Sequence, residues 1–234
     1  MNRRIGLWLL ALALMAGFAA LGRWQLQRAD DKQRMLDQVA LAVAGKQALS
    51  LSSASDEETI AYAWASGRGH FVSAPVLLLD NQRRGDRVGV HVLSVFEPEG
   101  SRALLVDLGW LPVAGERRMP EVKLPTGNVA IAGLLTPPPA AGIALGAAYD
   151  QLDPTRWLLT RVDLVALASV LHIKLAPRVL RLDPAQSLGY ARDLNVLPNT
   201  LPPERHRGYA VQWFGLSLAT LLVALFLSFR RRPQ

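Results

Sequence analysis

Two long stretches without a charged residue, one near each end of the chain, restrict its fold more than any other feature. Residues 5–21 carry no charge, and neither do residues 209–229. As helices these runs reach roughly 25 and 31 Å, against a hydrocarbon core of about 30 Å. The second is long enough to span outright. The first spans if its flanks lean outward or the bilayer thins. We therefore expect a tail at 1–4, a transmembrane helix at 5–22, an extracytoplasmic domain at 23–207, a second transmembrane helix at 208–229 and a tail at 230–234. A cleavable secretory signal is the rival reading of the first run, which follows "MNRR" and contains the small residues of "AGFAA".

Charge supports two spans. Of 26 Lys and Arg residues, Arg3, Arg4, Arg230, Arg231 and Arg232 flank the spans at the extreme ends, and the other 21 face 19 acidic residues. The middle of the chain is thus close to neutral, and its basic character belongs largely to the tails. Nucleic-acid binding would need basic side chains gathered on a domain face, so that function is not expected. By the positive-inside tendency both tails are cytoplasmic and the middle segment is exported across a cell inner membrane.

The chain has no cysteine. An exported domain of about 180 residues must then be held by its own core. Thiolate metal sites, redox pairs and c-type haem attachment are excluded. Copper handling is also a poor fit, because the methionines (Met1, Met15, Met35, Met119) are scattered.

After the first run, "RWQLQRADDKQRMLDQVALAVAG" reads as a continuing helix closed by Gly45. Short β-type runs follow at 62–72, 76–81, 88–96, 103–111 and 129–135, with "RRGDRVG" at 83–89 as a hairpin turn. Residues 136–148 read as a loop, and 161–172 as a short helix capped by Asp163. "PRVLRLD" reads as a last strand, and "NVLPNTLPPERH" as an extended approach to the second span. The expected fold is two terminal transmembrane helices flanking an α+β domain that is predominantly antiparallel β, barrel- or sandwich-like.

No nucleophile elbow, P-loop, dinucleotide-type glycine loop or H-E-x-x-H motif occurs. The four histidines, His70, His91, His172 and His206, are far apart in sequence. "DD" at 30–31 and "DEE" at 56–58 read as solvated surface. His70 and His91 fall in predicted strands and read as structural.

Chemistry concentrates at the two span junctions, "LGRWQLQRADDK" and "HRGYAVQWFG". Trp24 suits a headgroup layer, with Arg28 one turn on along the same face. His206, Tyr209 and Trp213 follow i, i+3, i+7 spacing. Ala13 with Gly17, and Gly215 with Ala219, offer small-residue faces through which the spans are expected to pack. Two readings stand. One is an aromatic belt with a polar cap. The other is a site for an amphiphile such as haem, with His206 as iron ligand or hydrogen-bond partner, Trp213 against a flat ring and arginines meeting carboxylates.

The order of "LGRWQLQRADDK", "VLLLDNQRRGDRVGVHVLSVFEP", "LLVDLGWLP" and "HRGYAVQWFGLSLA" resembles the Surfeit locus protein 1 family of cytochrome c oxidase assembly factors, over nearly the whole chain. That resemblance implies an assembly role with no enzymatic reaction. It implies binding of haem a and its delivery to subunit I of a haem-copper oxidase, with haem a synthesis or assembly proteins as further partners. The family's junction histidine is associated with the haem and corresponds to His206, which implies contact with the haem iron or with its polar edge. Its Gly-x-Trp-Gln motif corresponds to Gly22, Trp24 and Gln25, and its Tyr and Trp-Phe positions to Tyr209, Trp213 and Phe214. With Arg28, from the reading of the junctions above, Trp24, Tyr209 and Trp213 are the expected companions of His206 around the cofactor. Leu108 departs from the pattern, standing where the family commonly has arginine. The alternatives are a scaffold for another membrane complex, which needs no His206, and a signal-anchored extracytoplasmic enzyme, which the missing catalytic motifs disfavour.

Overall fold

A computed structural model of the chain describes residues 3–45, 47–55, 61–139, 146–197 and 200–229. The tail 230–234, the acidic triplet at 56–58 and residues 140–145 of the expected loop lie outside the described residues. Two compact units form: residues 1–37 with 199–234, and residues 38–198.

The first unit is helical. Helix α1, Arg3–Gly45, runs unbroken for 43 residues, about 64 Å. It therefore continues well past the expected span boundary at residue 22, as the sequence predicts. Helix α3, Pro203–Phe229, begins with a proline in its first turn, where a missing N–H costs nothing. Both helices are long and apolar enough to cross a membrane. Their large apolar side chains are mostly exposed, among them Leu7, Leu9, Leu12, Val211, Leu218, Phe226 and Phe229. An apolar surface on a helix that is not buried in protein needs a non-aqueous neighbour, and a bilayer supplies one.

Between α1 and α3 the contacts recur in steps of three and four residues, the spacing of a coiled-coil seam. Ser217 Oγ donates to the Met15 carbonyl at 3.1 Å. Phe18 stacks on Trp213 with ring centroids 5.8 Å apart. Gly22 lies against the Phe214 ring, Gln25 meets His206, and Lys32 donates to the Leu201 carbonyl. Numbers rise along one helix as they fall along the other, so the pair is antiparallel. The expected small-residue contact does not form. A Cβ at Gly17 or Gly215 would meet nothing within 4 Å. The seam instead follows the larger side chains of the heptad stripe, because those reach across.

The second unit is built on one nine-stranded sheet. Its strands are β1 (Leu49–Ser50), β2 (Ala63–Phe71), β3 (Val76–Arg84), β4 (Arg87–Pro98), β5 (Ala103–Pro112), β6 (Val129–Thr136), β7 (Tyr149–Asp153), β8 (Arg156–Leu159) and β9 (Leu175–Leu182). They are ordered β1-β2-β6-β9-β5-β4-β3-β8-β7, and the end of β2 also pairs with β4. The sheet is predominantly antiparallel, as expected, but it is mixed, which corrects the expected barrel or sandwich. β1–β2, β3–β8 and β5–β9 are parallel. Hairpin spacing predicts only neighbours in sequence. Here helix α2, Leu164–Leu171, intervenes between β8 and β9, and β9 inserts between β6 and β5.

Local signals did set local structure. Gly85 takes a positive φ of 59° in the two-residue turn between β3 and β4, where a side chain would be strained. Asp163 caps α2 by accepting from the Ala166 N–H at 3.0 Å. Alternate residues of the central strands feed two apolar clusters. Val92, Phe96, Leu104, Val106 and Leu180 enter one. Leu77, Leu93, Leu105, Val179 and Leu167 of α2 enter the other. Each such side chain, fully buried, contributes roughly 1.5–3 kcal/mol. Val39, in the last turns of α1, packs with Trp64 and Leu134 in a third cluster.

Candidate functional site

The four histidines have different settings. His70, on β2, lies 3.6 Å from Glu97 in an exposed pair. His172 ends α2 in the left-handed conformation, φ 55°. His91, on β4, meets both carboxylate oxygens of Asp107 at 3.0 Å. Asp107 also accepts the Gly109 N–H at 2.9 Å and lies 3.7 Å from Arg181. Burial pushes the Asp107 carboxyl up, but the His91 bond, the charges of His91 and Arg181 and the Gly109 N–H outweigh it and hold the group below its ordinary value. This cluster pins the irregular stretch of β5 where its register with β4 shifts. Among the described residues no group of three or more His, Asp or Glu side chains is arranged to hold a metal ion.

His206 is different. It sits in the first turn of α3 and is only 8 % exposed. Its Nδ1 lies 2.6 Å from the side-chain carbonyl oxygen of Gln25 on α1. Its Nε2 is buried and has no hydrogen-bond partner among the described residues. Leaving such an atom unsatisfied costs about 1–3 kcal/mol. A ring nitrogen held without a partner at a helix seam is therefore suited to a ligand. Burial lowers the affinity of His206 for a second proton, and the charges of Lys32 and Arg28 lower it further. The imidazole is thus kept neutral, the form that can offer a lone pair to a metal.

Lys32 is half-buried, and its own pKa is lowered by burial and by Arg28. Together Arg28 and Lys32 put positive charge beside the imidazole, which favours an anionic group such as a carboxylate. Trp213 is on the seam with His206, stacked on Phe18. Trp24, Arg28 and Tyr209 are exposed, with Arg28 near enough for its charge to act on His206. The structure thus brings His206 and Trp213 onto one helix face and leaves Tyr209 at its edge. It keeps Trp24 and Arg28 one turn apart on α1.

Two members of the site escape a reading by residue type. Gln25 belongs to the junction motif, but its contact with His206 joins positions 181 residues apart. Lys32 looks like an ordinary solvated charge. The signal that finds both is the stripe Met15, Phe18, Gly22, Gln25, Ala29, Lys32. Its three-four spacing places an amide and an amine on the face that otherwise carries apolar residues.

A pair of apolar helices of membrane-spanning length, enclosing in sequence a mixed-sheet domain, with an imidazole nitrogen at the helix seam that has no partner among the described residues: this defines a candidate membrane protein. The SURF1 family model matches residues 12–218, and the chain belongs to the SURF1 family. That family is associated with cytochrome oxidase assembly, and it is a family of assembly factors rather than of catalysts. No curated protein sequence matches the chain significantly.

Proposed function

We propose that this chain is an assembly factor for a haem-copper terminal oxidase, which holds haem a at the outer junction of its two spans and aids its delivery to subunit I. Its residues fit the group on one observation above all: the buried, unpartnered Nε2 of His206. Bound there, haem supplies an iron that accepts a nitrogen lone pair. His206 presents that lone pair, and Gln25 orients the ring. Arg28 and Lys32 would supply positive charge to carboxylates of such a group, and Trp24, Tyr209 and Trp213 would offer it apolar faces. Because Nε2 is covered, a ligand reaches it only when neighbouring side chains move aside. Such a site suits transient custody better than permanent retention.

The proposed setting is the cell inner membrane, with both tails cytoplasmic and the sheet domain exported. The arginines beyond both apolar runs support that orientation. The partners are oxidase subunit I and proteins of haem a synthesis or assembly. The test is to purify the full chain from cells making haem a and record its visible spectrum beside that of His206→Ala. Loss of haem from the variant at unchanged abundance supports the reading. Wild-type haem content and oxidase activity in the variant would return His206 to a polar cap, leaving a scaffold for the oxidase without cofactor custody.

A further inference from the structure

We infer that Gln25 is the positioning residue of this site, whose side-chain carbonyl fixes His206 in the Nδ1–H tautomer and thereby makes Nε2 the nitrogen that meets the ligand. The inference rests on the haem reading for the identity of that ligand, and on geometry alone for the tautomer.

A carbonyl oxygen has lone pairs and no proton, so at 2.6 Å from Nδ1 it requires that nitrogen to be the donor. A neutral imidazole carries one N–H. With the proton on Nδ1, the other nitrogen is a bare acceptor, and this is the one buried without a partner. An unconstrained histidine side chain in water favours the opposite tautomer, with its proton on Nε2. That form would turn an N–H toward an incoming metal and block it. The bond that His206 Nδ1–H donates to Gln25 thus sets which nitrogen His206 presents to a ligand.

Gln25 is well held for this task. It is half-buried on the regular helix α1, between the contacts of Gly22 with Phe214 and of Lys32 with Leu201. A residue on a packed helix fixes an angle more tightly than one on a loop. Gln25 touches no ligand in this arrangement; it acts through His206.

The tautomer is read in the full-length chain, free of haem and labelled with ¹⁵N-histidine in detergent micelles. His206 is assigned by the signal lost in His206→Ala. We expect a protonated Nδ1 and an unprotonated Nε2 in the parent chain. Gln25→Leu should move the proton toward Nε2, whereas Gln25→Glu, which keeps an acceptor oxygen, should hold it on Nδ1. Titration of the same samples with iron protoporphyrin IX, followed in the visible, should show at least about tenfold weaker binding for Gln25→Leu. Gln25→Glu should restore most of the affinity, a rescue that lost helix packing would not give. A protonated Nε2 in the parent chain, or an unchanged tautomer in Gln25→Leu, overturns this inference alone. Parent-like binding by His206→Ala overturns the haem reading and the ligand-presenting role of Gln25 together.

Discussion

Gly22 lies so close to the ring of Phe214 that a Cβ on it would stand 2.8 Å from the nearest ring carbon. The glycine is there because the aromatic side chain fills the space between the helices. Gly22→Leu should therefore force α1 and α3 apart, whereas Gly17→Leu and Gly215→Leu, which meet nothing within 4 Å, should leave the pair intact. The natural absence of cysteine makes the measurement simple. Cysteines at positions 15 and 217 should crosslink in the parent chain and in the last two variants, and poorly in Gly22→Leu. Equal crosslinking in all three variants would contradict the seam.

Gly109 carries a second steric prediction. It has φ +113°, and a Cβ there would stand 2.8 Å from the Tyr190 carbonyl oxygen. The segment around Tyr190 crosses this point, with its N–H bonded to the Leu108 carbonyl at 2.7 Å. Gly109→Ala combines backbone strain with a backbone clash, so a loss of about 2 kcal/mol or more is expected. Thermal unfolding of the full chain in detergent reads it, and an unchanged midpoint would count against it.

Asp107→Ala should destabilise the sheet domain by about 3 kcal/mol, because it strands Arg181 and His91 in low-exposure positions. The sign of the pH dependence follows from the lowered folded-state pKa. The carboxylate stabilises the folded chain above its unfolded value of about 4, and that contribution disappears as pH falls through the lower folded value. The deficit of the variant should accordingly be full at neutral pH and shrink in strong acid. A deficit that grows on acidification would be the wrong sign.

Orientation is checked at Gly127, in an exposed turn with φ +78° and open space around it. A reporter that is active only outside the cytoplasm should work when inserted there. A cytoplasmic fluorescent reporter active at the same position would reverse the proposed topology.

The helices were legible because the charge-free runs at 5–21 and 209–229 have few alternatives, and Gly45 and Asp163 are strong punctuation. The β3–β4 hairpin was legible through Gly85. β7 and β8 were not. β7 is a largely exposed strand whose residues "YDQLD" lack apolar alternation, so nothing marks it before β8 pairs with it. The parallel pairings were hidden for another reason: β9 lies beside β5 across more than sixty residues, and no local pattern encodes a partner so distant. At the junction His206 stood out by residue type, and its partner did not. The small residues drew attention to Ala13, Gly17, Gly215 and Ala219, yet the contacts follow side chains long enough to bridge two helices.

The polar contacts between α1 and α3 carry a consequence for alignment. Leucines in oil gain little by meeting one another rather than lipid, so two apolar helices can slide past each other by a turn at small cost. Ser217 on the Met15 carbonyl and His206 on Gln25 cannot slide, since each donor has one acceptor at one height. They work as two keyed teeth in an otherwise smooth zip. The depth at which His206 stands is thus written into the pairing frame of the helices, and a one-turn slip would misplace it by about 5 Å.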